Sequence, residues 1–161
     1  MFFNLKNPTA ILLPVGFFLL DLFLKQLALR GFFLEIIPGL FSFHLSLNSG
    51  IAFSWPVPRL LVIILSVLML MFLIVLTWRS RFYWISFLGF NLIIFGALSN
   101  LLDRLWNSAV IDYFDLAFFS IFNLADGMIV AGCLILLSLK SNSCLWYNKT
   151  NESQKNDKNE V

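Results

Sequence analysis

From Leu60 to Trp78 the chain carries no ionisable side chain, and Ser66 and Thr77 are its only polar interruptions. A run of about 20 apolar residues crosses a bilayer as a helix, the form that satisfies every backbone N–H and C=O within one segment. Comparable runs lie at about 10–29, 82–102 and 123–139, so the pattern predicts an all-α membrane protein with four transmembrane helices. Charged residues make up 12% of the sequence, against about 25% in soluble domains. The net charge of +2 and the lack of a basic stripe argue against a nucleic-acid partner. The featureless second run reads as lipid-facing scaffold.

The first run competes with a cleavable leader, but it is long, has no small-residue cleavage site, and carries Asp21 and Lys25 near its far end. Spaced i, i+4, those two share a helix face and can pair. They serve either to ease insertion or as a strut beside a site. Residues 30–58 are broken by Gly31, Pro38, Gly39, Gly50, Pro56 and Pro58. Within them Leu40–Leu47 alternates apolar and polar residues as a strand does, which predicts a small strand-rich element on the membrane surface. His44 reads as a solvated strand residue, and Asn48–Phe53 as a turn open to close approach of another backbone.

Arg79, Ser80 and Arg81 read as a tight basic hairpin before the third run. That run ends with Gly96, Asn100 and Asp103 in one stripe, at i, i+4 and i+7, followed by Arg104. Asn91, polar at mid-span, suggests an interhelical hydrogen bond. A loop over 103–122 leads to the fourth run, whose first turn holds Asn123, Asp126 and Gly127 on one face. Residues 1–147 read as one domain and 148–161 as a disordered tail, where Asn148–Thr150 is a weak glycosylation pattern. Four spans return the chain to its starting side, which carries Lys6, Arg79, Arg81, Lys140, Lys149, Lys155 and Lys158. The positive-inside tendency makes both termini and the tail cytoplasmic. Asp21, Glu35, Asp103, Asp112, Asp115 and Asp126 then gather at the extracytoplasmic face.

Ionisable residues at membrane depth point to function, because burying their charge costs roughly 2.5–3.5 kcal/mol on insertion scales. Asp112 and Asp126 flank a short aromatic segment. Two adjacent carboxylates resist joint ionisation and share a proton. The ionised one can draw a proton from water while the protonated one hydrogen-bonds a carbonyl oxygen, which allows peptide hydrolysis without metal or covalent intermediate. Asp115 rivals Asp112 for that role. The plainer readings are a helix-start cap for Asp126 and an interfacial anchor paired with Asp103 for Arg104. Cys133 and Cys144 form no CxxC or metal pattern. Val130–Cys133 resembles a lipidation box, but it lies too deep in the chain to act as one.

The ordered set Asp21/Lys25, Asn48-x-Gly50-x-Ala52-Phe53, Gly96-x-x-x-Asn100-x-x-Asp103-Arg104, Val110-Ile111-Asp112-Tyr113 and Phe122-Asn123-x-Ala125-Asp126 resembles the lipoprotein signal peptidase (signal peptidase II) family. It covers nearly the whole chain except the tail. The resemblance implies an aspartic endopeptidase of the bacterial inner membrane with its active site on the periplasmic face. Such an enzyme removes signal peptides from prolipoproteins by cutting before the diacylglyceryl-modified cysteine. It implies Asp112 and Asp126 as the catalytic pair. Asn48, Gly50, Gly96, Asn100, Asp103, Arg104 and Asn123 would bind substrate or support the pair, and Asp21 and Lys25 would be structural. It implies no metal or cofactor, membrane lipid as a partner, and sensitivity to globomycin-like inhibitors. Ser99, Tyr113 and Ile51 depart from the family pattern, which commonly has Gly, Phe and a small residue there; these departures bear on substrate fit. A substrate anchored in the same bilayer would arrive pre-oriented, with the 30–58 element placed to cover the scissile bond. A proton-coupled transporter would instead put binding groups near the midplane and show an internal repeat, and neither is visible. A non-catalytic scaffold would keep its function in Asp112→Asn.

Overall fold

A computed structural model describes residues 8–49, 58–80 and 84–139 of the chain. Gly50, the rest of the 50–57 stretch, the Arg81 end of the basic hairpin and the tail from 140 onward lie outside the described residues. The elements run α1 (Thr9–Leu29), β1 (Leu34–Ile37), β2 (Phe41–Asn48), α2 (Arg59–Ser80), α3 (Trp84–Trp106) and β3 (Val110–Leu116). A fourth helix follows, α4 (Leu124–Leu139). Among the described residues three helices, α1, α2 and α3, are long and apolar enough to cross a membrane, and α4 is an apolar helix of the shorter class. The chain is therefore a mostly helical, multi-pass membrane protein that carries one small sheet.

Helix α3 is central and packs against both α1 and α2. The hydroxyls of Ser66 and Thr77 turn back onto the Val62 and Leu73 carbonyls of their own helix, at 2.8 and 2.7 Å. This leaves α2 with an apolar exterior, as its composition requires in lipid. Asn91 also stays within its own helix, donating Nδ2 to the Phe87 carbonyl at 2.7 Å rather than bonding across. The contact between α3 and α4 is made through small residues. A Cβ on Gly132 would stand 2.5 Å from the Gly89 carbonyl oxygen, and one on Gly96 would stand 2.5 Å from that of Ala125. Backbone approach of this kind is how apolar helices pack where no hydrophobic force drives them together.

The region between α1 and α2 does hold strands, but it supplies only two of the three. The sheet is antiparallel in the order β1-β2-β3, and β3 lies inside the stretch that reads as a loop in the sequence. Along β2 and β3 the register passes from Phe43↔Phe114 to Ser46↔Asp112. One extra β2 residue is therefore accommodated, as in a β-bulge. The bulge turns Ser46 and Asn48 to the face of Asp112. An unbroken register would have put Leu45 and Leu47 there. Phe43, Ile111, Tyr113 and Ala28 form a buried cluster that fixes the sheet on the end of α1. After β3 the chain doubles back: Phe114 and Phe122 exchange backbone hydrogen bonds at 2.8 and 3.0 Å. That return delivers Asn123 beside Asp112 and starts α4.

Candidate active site

The first turn of α4 is closed by a capping box. Asp126 N–H donates to Asn123 Oδ1 at 2.9 Å, and Asn123 N–H donates to Asp126 Oδ2 at 3.3 Å. Asp126 therefore caps its helix, as the plainer reading has it, and its other oxygen remains for further bonds. Asn100 Nδ2, from α3, donates to that Oδ1 at 2.8 Å. The Asn123 side chain reaches the opposite way and donates Nδ2 to Asp112 Oδ1 at 2.7 Å and to Asn100 Oδ1 at 3.1 Å. Asn48 Nδ2 completes the set, donating to Asp112 Oδ2 at 3.3 Å. Each carboxylate thus accepts from two groups, and Asn123 contacts both.

These residues open on a cavity of about 910 Å³. Its polar end is formed by Asn48, Asn100, Arg104, Asp112 and Asp126, and Gly127, Val130, Ala131 and Leu134 continue it along one face of α4. Arg104 donates to the Asn100 carbonyl at 3.2 Å. Arg59, at the start of α2, donates to the carbonyls of Arg104 and Leu105 at 2.7 and 3.0 Å, closing the open C-terminal end of α3. Burial, and then the charge of Asp126, push Asp112 up to about 6. This is the condition under which a carboxyl pair holds one proton.

Beneath the cavity lies a buried polar network. Lys25 Nζ lies 2.8 Å from Asp21 Oδ2 and 2.7 Å from Asp103 Oδ2. It also donates to Ser99 Oγ at 2.8 Å and to Asn100 Oδ1 at 3.4 Å. Asp103 Oδ2 accepts the Ile111 N–H at 3.2 Å, joining α3 to β3. Asp21 accepts from the Ser99 hydroxyl on one oxygen; on the other it accepts from Tyr113 OH at 2.7 Å and the Ala125 N–H at 3.2 Å. Burial, followed by the nearby Asp21 charge, holds the Tyr113 hydroxyl above its usual pKa, so it remains a donor.

Of the residues singled out in the sequence, Asp112, Asp126, Asn48, Asn100 and Arg104 line the cavity, and Asn123, fully buried, bonds both carboxyls. Asp103, Asp21 and Lys25 form the network behind it. Gly96 sits under α4, and Gly50 lies outside the described residues. Asp115 is not part of the site: three residues along a strand put it on the face opposite Asp112, where it lies 3.9 Å from His44. His44 is a half-exposed strand residue bonded to Ser42 at 3.2 Å. Sequence reasoning gives no role to Arg59 and treats Ser99 and Tyr113 only as departures from a pattern. Both departures converge on Asp21, and no local signal marks that convergence.

A family model described as signal peptidase (SPase) II matches residues 13–140. A lipoprotein signal peptidase of Syntrophomonas wolfei is 42% identical over 93 residues, which make up 57% of this chain and 62% of that protein. The lipoprotein signal peptidase of Caldicellulosiruptor bescii is 34% identical over 126 residues, 76% of this chain and 83% of that protein. A solved structure described as a bacterial membrane enzyme superposes with a TM-score of 0.80 at 23% identity, covering 89% of this chain and 94% of its own. A second so described gives a TM-score of 0.72 at 22% identity, covering 86% and 96%. At those identities the two structures show the fold.

Proposed function

The chain belongs to the signal peptidase II family, and on that premise we propose that it is a membrane aspartic endopeptidase that removes the signal peptide from diacylglyceryl-modified prolipoproteins. The observation that carries this reading is the joint tethering of Asp112 and Asp126 by Asn123 at the polar end of one cavity.

In this reading a water molecule sits between the two carboxyls. The ionised one takes a proton from the water as its oxygen attacks the carbonyl carbon before the lipidated cysteine. The protonated one donates to the carbonyl oxygen. Collapse of the tetrahedral intermediate breaks the C–N bond, and the leaving nitrogen takes up a proton from the pair. Asn123, Asn100 and Asn48 hold the carboxyls at fixed angles, and Arg104 faces the substrate backbone. Asp103, Lys25, Asp21 and Gly96 support them from behind, and Gly50 is assigned a substrate-facing role. The apolar continuation along α4 suits a substrate anchored in the same bilayer.

The proposal includes four spans, α1 to α4, within one domain over 1–147, a separate tail over 148–161 and both termini in the cytoplasm. The cavity then opens on the periplasmic side of a bacterial inner membrane, and globomycin-like compounds inhibit the enzyme. The test is cleavage of a diacylglyceryl-modified prolipoprotein by purified wild type, Asp112→Asn and Asp126→Asn in lipid. Cleavage by wild type alone supports the pair. Survival of either variant's activity removes that aspartate from the mechanism, and a folded wild type that cuts nothing overturns the reading.

A further inference from the structure

The first turn of α4 presents backbone N–H groups that its own helix cannot satisfy, and each finds a different kind of partner. Asp126 N–H goes to the Asn123 side chain within the turn. Ala125 N–H goes to Asp21 of α1, at 3.2 Å. Leu124 N–H goes to the Tyr113 hydroxyl, at 3.0 Å. That same hydroxyl donates to Asp21 Oδ1 at 2.7 Å. One oxygen atom therefore joins α1, β3 and α4. It sits on the residue after Asp112 and bonds the turn that carries Asp126.

The oxygen has little freedom. Tyr113 is wholly buried, and its ring packs against Phe43 and Phe114 at centroid distances of 5.1 and 4.7 Å. The ring fixes the hydroxyl, and the hydroxyl fixes the tilt of the turn. Ser99 holds the other oxygen of Asp21 and keeps that carboxylate from rotating away.

We propose that Tyr113 is a positioning residue for the proposed hydrolysis, setting the placement of Asp126 against Asp112 through the Leu124 N–H and Asp21. The inference rests on the activity proposed above. Tyr113→Phe keeps the ring and its packing and removes only the hydroxyl. Leu124 N–H then loses its partner, the turn relaxes, and Asp126 moves relative to Asp112, while the substituted side chain itself stands outside the cavity lining.

The test compares wild type and Tyr113→Phe on the same diacylglyceryl-modified prolipoprotein in the same lipid, with kcat and KM measured across pH. The expected result is a kcat lowered about tenfold, the scale of one lost buried hydrogen bond plus misalignment, with KM unchanged. The alkaline limb of kcat/KM is expected to move to lower pH, because a more distant Asp126 opposes ionisation of Asp112 less. A purely structural role would lower the amount of active enzyme and leave the pH limb in place, and that result overturns the proposal. So does a variant with wild-type kcat and pH profile. If wild type itself does not cleave, the proposed activity fails and takes this role with it. Amide exchange in the wild-type protein tests the contact even if the variant does not fold: the Leu124 N–H should exchange slowly, and exchange at a free-peptide rate overturns the inference.

Discussion

Asn123 and Asp126 cap each other: the backbone N–H of each donates to the side-chain oxygen of the other, at 3.3 and 2.9 Å. The same asparagine holds Asp112 at 2.7 Å, so one residue starts α4 and sets the spacing of the two carboxyls. Replacing Asn123 with Ala removes the cap that its Oδ1 gives the Asp126 N–H, worth about 1 kcal/mol, together with the Nδ2 donor to Asp112. Cleavage is expected to fall at least about a hundredfold while melting changes modestly. Parallel kinetics and thermal unfolding check this, and an active Asn123→Ala enzyme would show that the carboxyls are held by other means.

Lys25 is the counter-charge for two buried aspartates, Asp21 and Asp103, at 2.8 and 2.7 Å. Lys25→Met leaves both without it, and breaking such a pair from one side costs about 3–5 kcal/mol. The variant is expected to unfold at markedly lower temperature in detergent. A melting curve superimposable on that of wild type would mean the acids do not depend on Lys25.

Close helix packing sets up a comparison of two glycines. In Gly96→Ala the added methyl would meet the Ala125 carbonyl oxygen at 2.5 Å and Ile129 Cγ1 at 2.9 Å. The resulting overpacking costs about 1–3 kcal/mol and pushes α4, with Asp126, off its seat. Gly16, in α1, has nothing within 4 Å of such a methyl, so Gly16→Ala should be neutral or stabilise by up to about 1 kcal/mol. Equal melting temperatures and equal activities for the two variants would contradict the packing described for α3 and α4.

Asp112 stands at about 6 in the folded protein because of burial and the Asp126 charge, against an ordinary value of 3.8. The folded state therefore binds this proton more tightly than the unfolded chain. Its contribution to stability is complete below the unfolded value and is lost as pH rises through the folded one. Asp112→Asn should flatten the fall in stability between those two values. In wild type, kcat/KM should decline as pH rises through about 6, as the carboxyl pair of the free enzyme loses its shared proton. A wild-type stability that rises across that window would contradict the assignment.

Much of this arrangement was legible from local patterns. The apolar runs mark the helices, and the i, i+4, i+7 stripe of Gly96, Asn100 and Asp103 marks the face of α3 that meets the rest. Strand β3 was hidden because Val110–Leu116 does not alternate: Val110, Ile111, Asp112 and Tyr113 are all buried. Its pairing with β2, Asn48 against Val110, is a contact between distant parts of the chain that leaves no local trace. The extra turn of α3 was also obscured, because Asp103 and Arg104 resemble the end of a span. They remain helical because Lys25 takes up the Asp103 charge and Arg59 closes the helix end. The rivalry between Asp112 and Asp115 could not be resolved from spacing until the strand was known. Once it is, their three-residue separation puts them on opposite faces, Asp112 toward Asn123 and Asp115 toward His44.

Lys25, placed between an acid of its own helix and one of α3, also bears on how the protein is made. During insertion α1 enters the bilayer before α3 exists, and its lysine and aspartate, one turn apart, can travel as a nearly neutral pair. Asp103 reaches the membrane later, and the partner it needs is already waiting in α1. In a solvent where one apolar helix is as good a neighbour as another, this charge gives α3 a specific docking address. The seat for α4, made from Asp21 of α1, Tyr113 of β3 and Asn100 of α3, is complete only after that docking. Asp112 and Asp126 therefore reach their joint setting only once α3 and α4 have docked.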